Sequence, residues 1–356
     1  MRIVHVSHGH LPDSRIEKIA HFFGNRDCKN IFVGMRKSND YKGTFDEKYT
    51  FPFTMNAWHL MFNDRAKSII RNSVKKLKPD LIHVHDCQAM IILHGIGIPT
   101  VFDDHEYLSK QLFLEPPILK HSKVSNAARK AVRYLFRRYA YGWESMIMRD
   151  TPIIVTNERV QEDYKKRGAK KNVEVVHNFP ARYQIEHLDE LLEIFEDAKE
   201  GVAYCGGDWG ESDSPHRDTT GLYDIVDVKV ICGLPHNQML SQLTKYKFGI
   251  VGWKPHPTLE WKNQNKCYEY MHAGCQLIIG EHLAWQFDKG LPWIHTFKTY
   301  DEIPEIIENA PDISPQRIAR YARANYSWNR EAPYAYSRVY EEALNSRLAQ
   351  RLSGLP

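Results

Sequence analysis

Residues 263–281, NQNKCYEYMHAGCQLIIGE, constrain the fold more than any other stretch of the chain. They predict a loop, one short helix, a glycine stop and a buried strand. Asn263 or Asn265 is expected to cap the helix, because an asparagine oxygen there accepts hydrogen bonds from the first-turn N–H groups. Gly274 is expected to end the helix, because glycine readily adopts the left-handed backbone conformation of a C-terminal cap. The strand at 275–279 is apolar at all but one position, which is typical of a parallel strand covered on both faces.

The same stretch has the features of a nucleotide site. A helix N-terminus beside Lys266 favours phosphate, because its N–H groups point outward and its dipole attracts anions. Glu269, one turn further on, is a natural partner for a ribose diol. An ordinary strand–helix unit with a solvated lysine and glutamate has the same pattern, so the stretch alone leaves both interpretations open.

Composition excludes several classes of protein. The 356 residues suffice for two domains with separate cores. A net charge of +4 gives no reason to expect nucleic acid. The six cysteines form no C-x-x-C pair and no zinc spacing, which indicates reduced, buried thiols in a cytoplasmic protein. Neither a signal peptide nor an apolar run of roughly 18–20 residues is present, so we expect a soluble protein, at most bound to a membrane surface.

Strand and helix patterns alternate along the first half. Residues 2–7 predict the first strand, and Ser14 with Glu17 has the spacing of a capping box at the start of a helix. No G-x-G-x-x-G follows the first strand, so a dinucleotide site has no support. Further strands are predicted at 30–34, 80–85, 99–102, 153–156 and 173–176, with helices at 64–78, 86–95, 118–149 and from about 158.

The second half repeats the alternation after a hinge expected near 178–185. An acidic amphipathic helix is predicted over 182–200, and the helix over 330–352 is long enough to leave one domain and dock on the other. The other predicted elements are strands at 201–205, 228–232 and 247–251 and helices at 236–245 and 314–325. This order favours two successive βαβ halves with a cleft between them.

Six motifs, in order and spanning nearly the whole chain, resemble those of the family 4 glycosyltransferases, which are retaining, nucleotide-sugar-dependent enzymes. Each motif alone is weak, but six in register are hard to produce by accident. They are Asp13–Ala20, Pro79–Asp86, Val101–Glu106, His177–Pro180, Asn265–Gly274 and Tyr326–Trp328.

The resemblance implies an α/β protein of the GT-B fold, with two Rossmann-like, doubly wound domains facing across a cleft. Residues 1–180 would form the N-terminal, acceptor-binding domain and residues 181–328 the C-terminal, nucleotide-sugar-binding domain. The C-terminal helix over 329–356 would cross back to pack on the N-domain. The implied activity is a hexosyl-type transfer (EC 2.4 class) with retention, in polysaccharide or glycoconjugate biosynthesis. The acceptor would be a glycan, a lipid-linked glycan or another small molecule.

The resemblance also implies roles for particular residues. His105 would face the reacting carbon, and Glu269 would bind the nucleotide ribose, with Lys266 near the diphosphate. Gly9 would let the backbone approach the phosphates closely. No metal is expected, because enzymes of this type stabilise the leaving diphosphate with backbone dipoles and cationic side chains. The full expected set is catalytic His105, Asp104 and Glu106; donor-binding Gly9, Arg217, Lys254, Asn265, Lys266, Glu269 and Tyr270; and acceptor-binding His8 and His85.

The chain departs from the family pattern at two places. Trp261 stands where typical members have a second glutamate, with Glu260 one residue away. The usual Arg–Lys pair after the first C-domain strand is missing, and Arg217 or Lys254 is the candidate substitute. Two alternatives therefore stay open: a nucleotide-sugar epimerase or hydrolase on the same fold, and a non-catalytic nucleotide-sugar or glycan-binding protein.

Two further patterns have competing interpretations. His83 and His85, with Asp103–His105, have the residue types of a metal site, although the family accounts for the same residues. The segment 118–149 holds eight basic residues against one acidic residue, with aromatic residues interleaved. A solvated helix pair is the ordinary interpretation, contact with an anionic membrane surface is the next, and nucleic acid is the least favoured.

Overall fold

The computed structural model describes residues 1–9, 11, 13–34, 43–51, 62–114, 126–195, 199–207, 209–212 and 216–353. The chain divides into two units. Unit 1 comprises Met1–Val176 and Glu331–Pro356, and unit 2 comprises His177–Arg330. Each unit has its own parallel β-sheet.

Unit 1 contains a seven-stranded sheet in which all pairs are parallel. The strand order is β3-β2-β1-β4-β5-β6-β7, so the direction of winding reverses between β1 and β4. Ligands of such sheets bind outside the carboxyl ends of the strands at this point. The strands are β1 (Arg2–Ser7), β2 (Lys29–Gly34), β3 (Glu47–Thr50), β4 (Leu81–His85), β5 (Thr100–Asp104), β6 (Ile153–Val155) and β7 (Val173–Val175).

Helices cover both faces of this sheet, and therefore its central strands are buried along nearly their whole length. The helices of unit 1 are α1 (Ser14–Gly24), α2 (Asp64–Lys76), α3 (Cys87–Leu93), α4 (Leu108–Leu114), α5 (Asn126–Asp150) and α6 (Glu158–Lys166). Within the described residues, the predicted strands and helices of this half are found. Two elements were not predicted: α4 and β3, the latter a polar, largely exposed edge strand.

The cap of α1 differs from the predicted one. Asp13, rather than Ser14, is the N-cap, and its carboxylate accepts from the backbone N–H groups of Arg15 and Ile16. Glu17 accepts in return from the backbone N–H of Asp13 at 3.2 Å. Asp13 and Ser14 are both residue types that cap helices, and the structure uses Asp13, one position earlier than predicted.

Unit 2 contains a five-stranded parallel sheet of order β12-β11-β10-β8-β9, which reverses its winding between β8 and β10. Its strands are β8 (Val202–Cys205), β9 (Val228–Ile231), β10 (Phe248–Val251), β11 (Gln276–Gly280) and β12 (Ile294–Phe297). Its helices are α7 (Arg182–Ile185), α8 (Leu188–Ile194), α9 (His236–Leu243), α10 (Asn265–His272), α11 (Ile303–Asn309) and α12 (Pro315–Asn325).

The single helix predicted over 182–200 is wrong. The segment forms two short helices, α7 and α8, and α8 ends at Ile194. Ala181 caps the first helix through its backbone N–H, which donates to the side chain of Gln184. The apolar residues that predicted one helix are therefore divided between α7 and α8, with Ile185 buried in α7 and Leu188 and Leu192 buried in α8.

The last helix, α13, runs over Trp328–Ser353 and includes Pro333. Its residues from Glu331 onward belong to unit 1. Across the described residues, no helix combines the length and apolar character that a membrane span requires. Of the basic segment 118–149, residues 118–125 and the side chains of 126–133 lie outside the described part.

Candidate functional site

Four side chains of β1, β4 and β5 meet on one face of the unit 1 sheet. His83 and His85 are two residues apart and so share a face. The parallel register pairs His5 with His83 and His85 with Asp103. The rings of His83 and His85 stack at 4.6 Å between centroids, and His5 lies 5.4 Å from His83 and 5.5 Å from His85. These four wholly buried residues, His5, His83, His85 and Asp103, are called the histidine cluster below.

The cluster is joined by hydrogen bonds. His5 Nε2 meets Asn30 Oδ1 at 3.1 Å, and His5 Nδ1 meets His85 Nε2 at 3.2 Å. His85 Nδ1 lies 3.4 Å from His105 Nε2. Burial lowers the pKa of His5 to about 3 and holds the pKa of His85 well below its usual value, so these rings are neutral at physiological pH.

Asp103 supplies the negative charge of the cluster. Arg15 donates to Asp103 Oδ1 from Nη2 at 2.8 Å and from Nε at 3.1 Å, and also to the Val176 carbonyl at 2.9 Å. Burial alone would raise the pKa of Asp103, but Arg15, His105 and His83 together outweigh burial and keep the pKa well below its usual value. Tyr336 of α13 adds a bond to Oδ2 at 3.4 Å.

His105 lies between two carboxylates. Its Nδ1 is 3.5 Å from Asp86 Oδ1 and its Nε2 is 3.5 Å from Asp103 Oδ2. Burial would lower the pKa of His105, but the two carboxylates raise it to about 9. The side chain is 13% exposed, whereas the histidine cluster is closed to solvent. The predicted catalytic residue is therefore a cationic ring at the solvent edge of a buried network.

The two predicted acceptor residues lie beside His105. His8 Nδ1 is 3.0 Å from Asp86 Oδ2, and His85 contacts His105 directly. Gly9 follows in the first loop, where its backbone N–H donates to Ser7 Oγ at 3.0 Å. The structure thus brings His8, Gly9, His85 and His105 together at the carboxyl ends of β1, β4 and β5. The next residue of this loop, His10, lies outside the described residues.

Asp104 and Glu106 lie elsewhere. Asp104 is one residue from Asp103 on β5 and so faces the opposite side of the sheet. It accepts from Tyr164 Oη at 2.8 Å and from the backbone N–H of Tyr107 at 3.1 Å. Burial raises its pKa to about 7. Glu106 is exposed. Asp104 is therefore part of a buried network on the other face of the sheet from the histidine cluster.

In unit 2, Glu269 is held at the carboxyl end of β8. His236, the first residue of α9, donates from Nε2 to Glu269 Oε1 at 2.8 Å. The thiol of Cys205, the last residue of β8, donates to Oε2 at 3.8 Å. The Glu269 side chain is 13% exposed. The carboxylate is therefore fixed in orientation while still reachable by a ligand.

Tyr270, a predicted donor-binding residue, is completely buried. Its hydroxyl accepts from the Cys205 backbone N–H at 2.9 Å and donates to the Ile250 carbonyl at 3.3 Å. Its ring lies directly over Gly249, where an added Cβ would stand 2.3 Å from the ring. Tyr270 thus ties α10 to β8 and β10, and places Glu269 rather than contacting a ligand itself.

Lys266 and Arg217 both lie on Trp253. The Lys266 ammonium is 5.4 Å and the Arg217 guanidinium 5.1 Å from the Trp253 ring centroid, distances typical of cation–π contacts. Lys266 is also 5.3 Å from the Tyr204 ring. Among the residues that the structure describes, Arg217 Nε and Trp253 Nε1 are buried donors with no acceptor. These contacts gather two positive charges beside Trp253.

Lys254 and Asn265 are exposed. The backbone N–H of Lys254 donates to the His216 carbonyl at 2.8 Å, which joins the segment before Arg217 to the end of β10. The predicted asparagine cap is wrong, because Gln264 is the N-cap of α10 and makes no side-chain cap bond. Asn263 instead accepts from the Asn178 backbone N–H at 2.9 Å and donates to Tyr268 Oη at 3.2 Å.

Sequence reasoning missed several residues of these two sites. Arg15 and Asp86 lie inside recognised motifs but were not assigned roles, and Asp103 was named only as a possible metal ligand. Polar residues at strand ends and just beyond them were a usable signal. His236 and Trp253 had no local signal. Their positions depend on which loops the sheet order brings together.

A family model matches the first half of the chain, and solved structures are similar to nearly the whole chain. Residues 15–179 match the family model of Glycosyltransferase Family 4. No curated protein matches the chain. Among solved structures, the chain is similar to sucrose-phosphate synthase from Thermosynechococcus elongatus, at 11% identity with 99% of each chain covered and a TM-score of 0.61.

Two other solved structures are similar over nearly their whole length. Alr3699/HepE from Anabaena, in complex with UDP and glucose, is 12% identical, with 100% of each chain covered and a TM-score of 0.60. The alpha,alpha-trehalose 6-phosphate synthase from Burkholderia multivorans is 10% identical, with 99% of this chain and 96% of that chain covered and a TM-score of 0.53. The fold of these structures is GT-B, with two Rossmann-like domains, and it confirms the predicted fold class.

Proposed function

We propose that this chain, a GT-B glycosyltransferase whose residues 15–179 match Glycosyltransferase Family 4, moves a hexosyl group from a nucleoside-diphosphate sugar to a glycan or lipid-linked acceptor, with retention. The observation that carries the proposal is the arrangement around α10. Two cations, Lys266 and Arg217, lie on Trp253, and Glu269 is held one turn further along by His236.

Unit 2 takes the donor. Glu269 presents its carboxylate to the ribose hydroxyls, since both of its oxygens are oriented by neighbours from β8 and α9. Lys266 and Arg217 neutralise the diphosphate. A phosphate oxygen there would accept from Arg217 Nε and Trp253 Nε1, the buried donors described above, and an unmet buried donor is costly.

Arg217 takes the place of the missing family arginine more readily than Lys254 does. Arg217 is half-buried and held on an aromatic face, whereas Lys254 is exposed. A preorganised guanidinium loses less entropy when it binds phosphate, and its planar fork can form two parallel bonds. Asn265 lies exposed at the first turn of α10, where a diphosphate would sit.

Unit 1 supplies the reacting-centre groups. His105 presents a positively charged ring to the donor sugar and to the charge that develops on it, with Asp86 and Asp103 fixing both ring nitrogens. Attack on the same face as the departing phosphate, with that phosphate accepting the acceptor proton, gives retention without a carboxylate nucleophile. Gly9 allows close approach of the donor, His8 borders the acceptor, and His85, which is wholly buried, acts through its contact with His105.

Unit 1 also offers a surface for a lipid-linked acceptor. On α5, Tyr134, Leu135, Tyr141 and Met146 are each about half exposed or more, and Arg138 and Arg149 are exposed beside them. Apolar and basic side chains together suit the headgroup region of an anionic membrane. The protein would then work in the cytoplasm at the inner face of a membrane, without nucleic acid and without a metal ion at the diphosphate.

The alternative of a non-catalytic nucleotide-sugar or glycan-binding protein rests on Trp261, which replaces a family glutamate. Glu260 is exposed on the same short turn, Pro257–Trp261. Turnover separates the two functions: a transferase consumes donor, and slow donor hydrolysis without acceptor already argues against a binding protein.

The experiment is a thermal-shift panel of nucleoside diphosphates and nucleotide sugars on wild type, Glu269→Ala and the control Glu305→Ala, an exposed glutamate on α11. A ligand that binds only the native state raises the melting temperature with concentration. We expect a rise with one nucleotide family in wild type and control, and a loss of that rise in Glu269→Ala.

No rise with any nucleotide would overturn the donor assignment. With the donor so identified, product formation and the anomeric configuration by NMR test transfer and retention. An inverted product, or binding with no turnover, rejects the proposed reaction while leaving the nucleotide site in place.

A further inference from the structure

We infer that His83, His85 and Asp103 form a binding site for a divalent transition-metal ion, with Zn²⁺ the best fit. The donor atoms of these three residues all lie within 4.8 Å of one another, and all three side chains are wholly buried. The site belongs to unit 1, apart from the donor-binding residues of unit 2. It does not depend on the proposed transfer reaction.

The donor set matches zinc chemistry. His83 Nε2 lies 3.5 Å and His85 Nδ1 lies 3.9 Å from Asp103 Oδ2. Tetrahedral zinc with bonds of about 2.0–2.1 Å spaces its ligands roughly 3.3–3.4 Å apart. Closing the site therefore needs an inward movement of the ligand atoms and a rotation of the His83 and His85 rings, which stack at 11° between their planes. Imidazole and carboxylate together favour Zn²⁺ and its first-row neighbours over Mg²⁺ or Ca²⁺.

His83 contributes a second, independent observation. Its Nε2 is buried and has hydrogen-bond geometry to no acceptor among the described residues. Its other nitrogen, Nδ1, meets Tyr340 Oη at 2.7 Å. With the proton on Nδ1, the lone pair of Nε2 points toward the Asp103 oxygen, which is the arrangement of a ligand awaiting a cation.

Each of the three ligands already has an outer partner. Tyr340 holds His83, His5 holds His85 at Nε2, and Arg15 holds Asp103 at Oδ1. Metal-binding histidines almost always have their second nitrogen fixed in this way, because the outer bond sets the tautomer and the ring orientation.

The fourth position is left to a water molecule, because His105, the neighbour nearest solvent, is held as a cation by its two carboxylates. His105 Nε2 lies 3.4 Å from His85 Nδ1 and 3.5 Å from Asp103 Oδ2, on the side nearest solvent. Its Nδ1 faces Asp86. The ion competes with Arg15 Nε and Tyr336 for Asp103 Oδ2, at 3.2 and 3.4 Å, and this competition lowers the affinity below that of a structural zinc finger.

The test uses the full chain, stripped with chelator and dialysed, and titrated with Zn²⁺ against a chromophoric chelator. We expect one ion per chain in wild type and a rise in melting temperature with Zn²⁺. Co²⁺ as a probe should give visible d–d bands of a nitrogen–oxygen site without the near-ultraviolet bands of thiolate ligation.

Variants locate the ion. His83→Gln and His85→Gln should abolish binding, and Tyr340→Phe, which keeps the ring and loses only the hydroxyl, should weaken it by about 10-fold or more. His94→Gln, a half-buried histidine of the same unit paired with Asp150, is the matched control and should bind as wild type does. Cys232→Ser, which removes the exposed thiol, should also be unchanged.

Failure of wild type to bind Zn²⁺ overturns the inference, as does binding that survives in both His83→Gln and His85→Gln or that disappears in Cys232→Ser. If the glutamine variants do not fold, wild type and Tyr340→Phe decide, and equal affinity in these two rejects the site. The nucleotide-dependent thermal shift of unit 2 is read separately, so either proposal can fail alone.

Discussion

The two units hold their polar groups in opposite ways. In unit 1, Asp103 and the histidines come from neighbouring strands and are closed to solvent, so the register of the sheet positions them. In unit 2, Lys266 and Arg217 come from a helix and a loop, are half-buried, and lie on the aromatic face of Trp253. The first arrangement couples chemistry to folding stability, whereas the second leaves its charges available to a ligand.

The largest effect on stability is expected at Asp103. Asp103→Ala should lower the free energy of unfolding of unit 1 by about 3–5 kcal/mol, because Arg15 is left buried without its partner. Denaturant unfolding in the presence of chelator measures the loss. Replacing both partners, as in Arg15→Met with Asp103→Leu, should recover much of it, and a loss below about 1 kcal/mol would show that the pair is not buried as described.

His105→Ala should reduce turnover by roughly 100-fold or more, because it removes a charged group aimed at the reacting centre. The ring is only 13% exposed and is held by Asp86 and Asp103, so the variant should also lose stability, and turnover is compared at a temperature where it stays folded. Donor affinity, measured by calorimetry, should be unchanged, since the ribose and diphosphate groups lie in unit 2. A collapse of nucleotide binding in this variant would mean that His105 has been given the wrong role.

Glu269→Ala should weaken nucleotide binding by about 1–3 kcal/mol, the cost of leaving a polar partner unpaired. His236→Ala should produce part of the same loss, because His236 orients the Glu269 carboxylate. A double-mutant cycle on binding affinity should give a clear coupling energy between the two residues. Additive losses would separate His236 from the nucleotide site.

Arg217→Gln should weaken donor binding by about 1.5 kcal/mol, the lower end for a hydrogen bond to a charged group. Lys254→Ala should cost less than about 0.5 kcal/mol, because exposed charges contribute little. Both variants should unfold as wild type does. The reverse order of effects would make Lys254 the substitute for the missing arginine.

The smallest expected effect is that of chelator on transfer. Once a transfer assay exists, an excess of chelator should leave the rate within about 2-fold of its value without chelator, since cations of the protein stabilise the leaving diphosphate. A metallohydrolase would instead lose activity. The assay uses protein already stripped of zinc, because the histidine cluster contacts His105 and must be in the same state with and without chelator.

Much of the fold could be predicted from local patterns. Apolar runs predicted β8, β10 and β11, because parallel strands buried on both faces need no alternation. Short apolar stretches broken by histidine or followed by aspartate still predicted β1, β4 and β5. Gly274 was predicted to end α10 in the left-handed region, and its φ is 72°. The failures were at helix ends and edge strands, where competing caps and short polar segments carry weak signals.

The candidate site was predictable only where one motif contained it. Glu269 and Lys266 share a helix, so their spacing is a local property. Tyr270 belongs to the same motif, yet its neighbour Gly249 leaves a space that takes the ring and removes it from any ligand. A motif therefore predicted which residues lie near the site, but not which side chains reach it.

The sequence by itself determined the class of fold and the strand that each chemical group follows, because hydrophobic period and turn residues act over a few positions. Only the tertiary structure decided which groups meet. His5, His83 and Asp103 are separated by nearly a hundred residues and come together through sheet register, which a linear pattern does not contain. The same holds for Arg217 on Trp253, and for the difference between Asp103 and Asp104, one residue apart on opposite faces of a sheet.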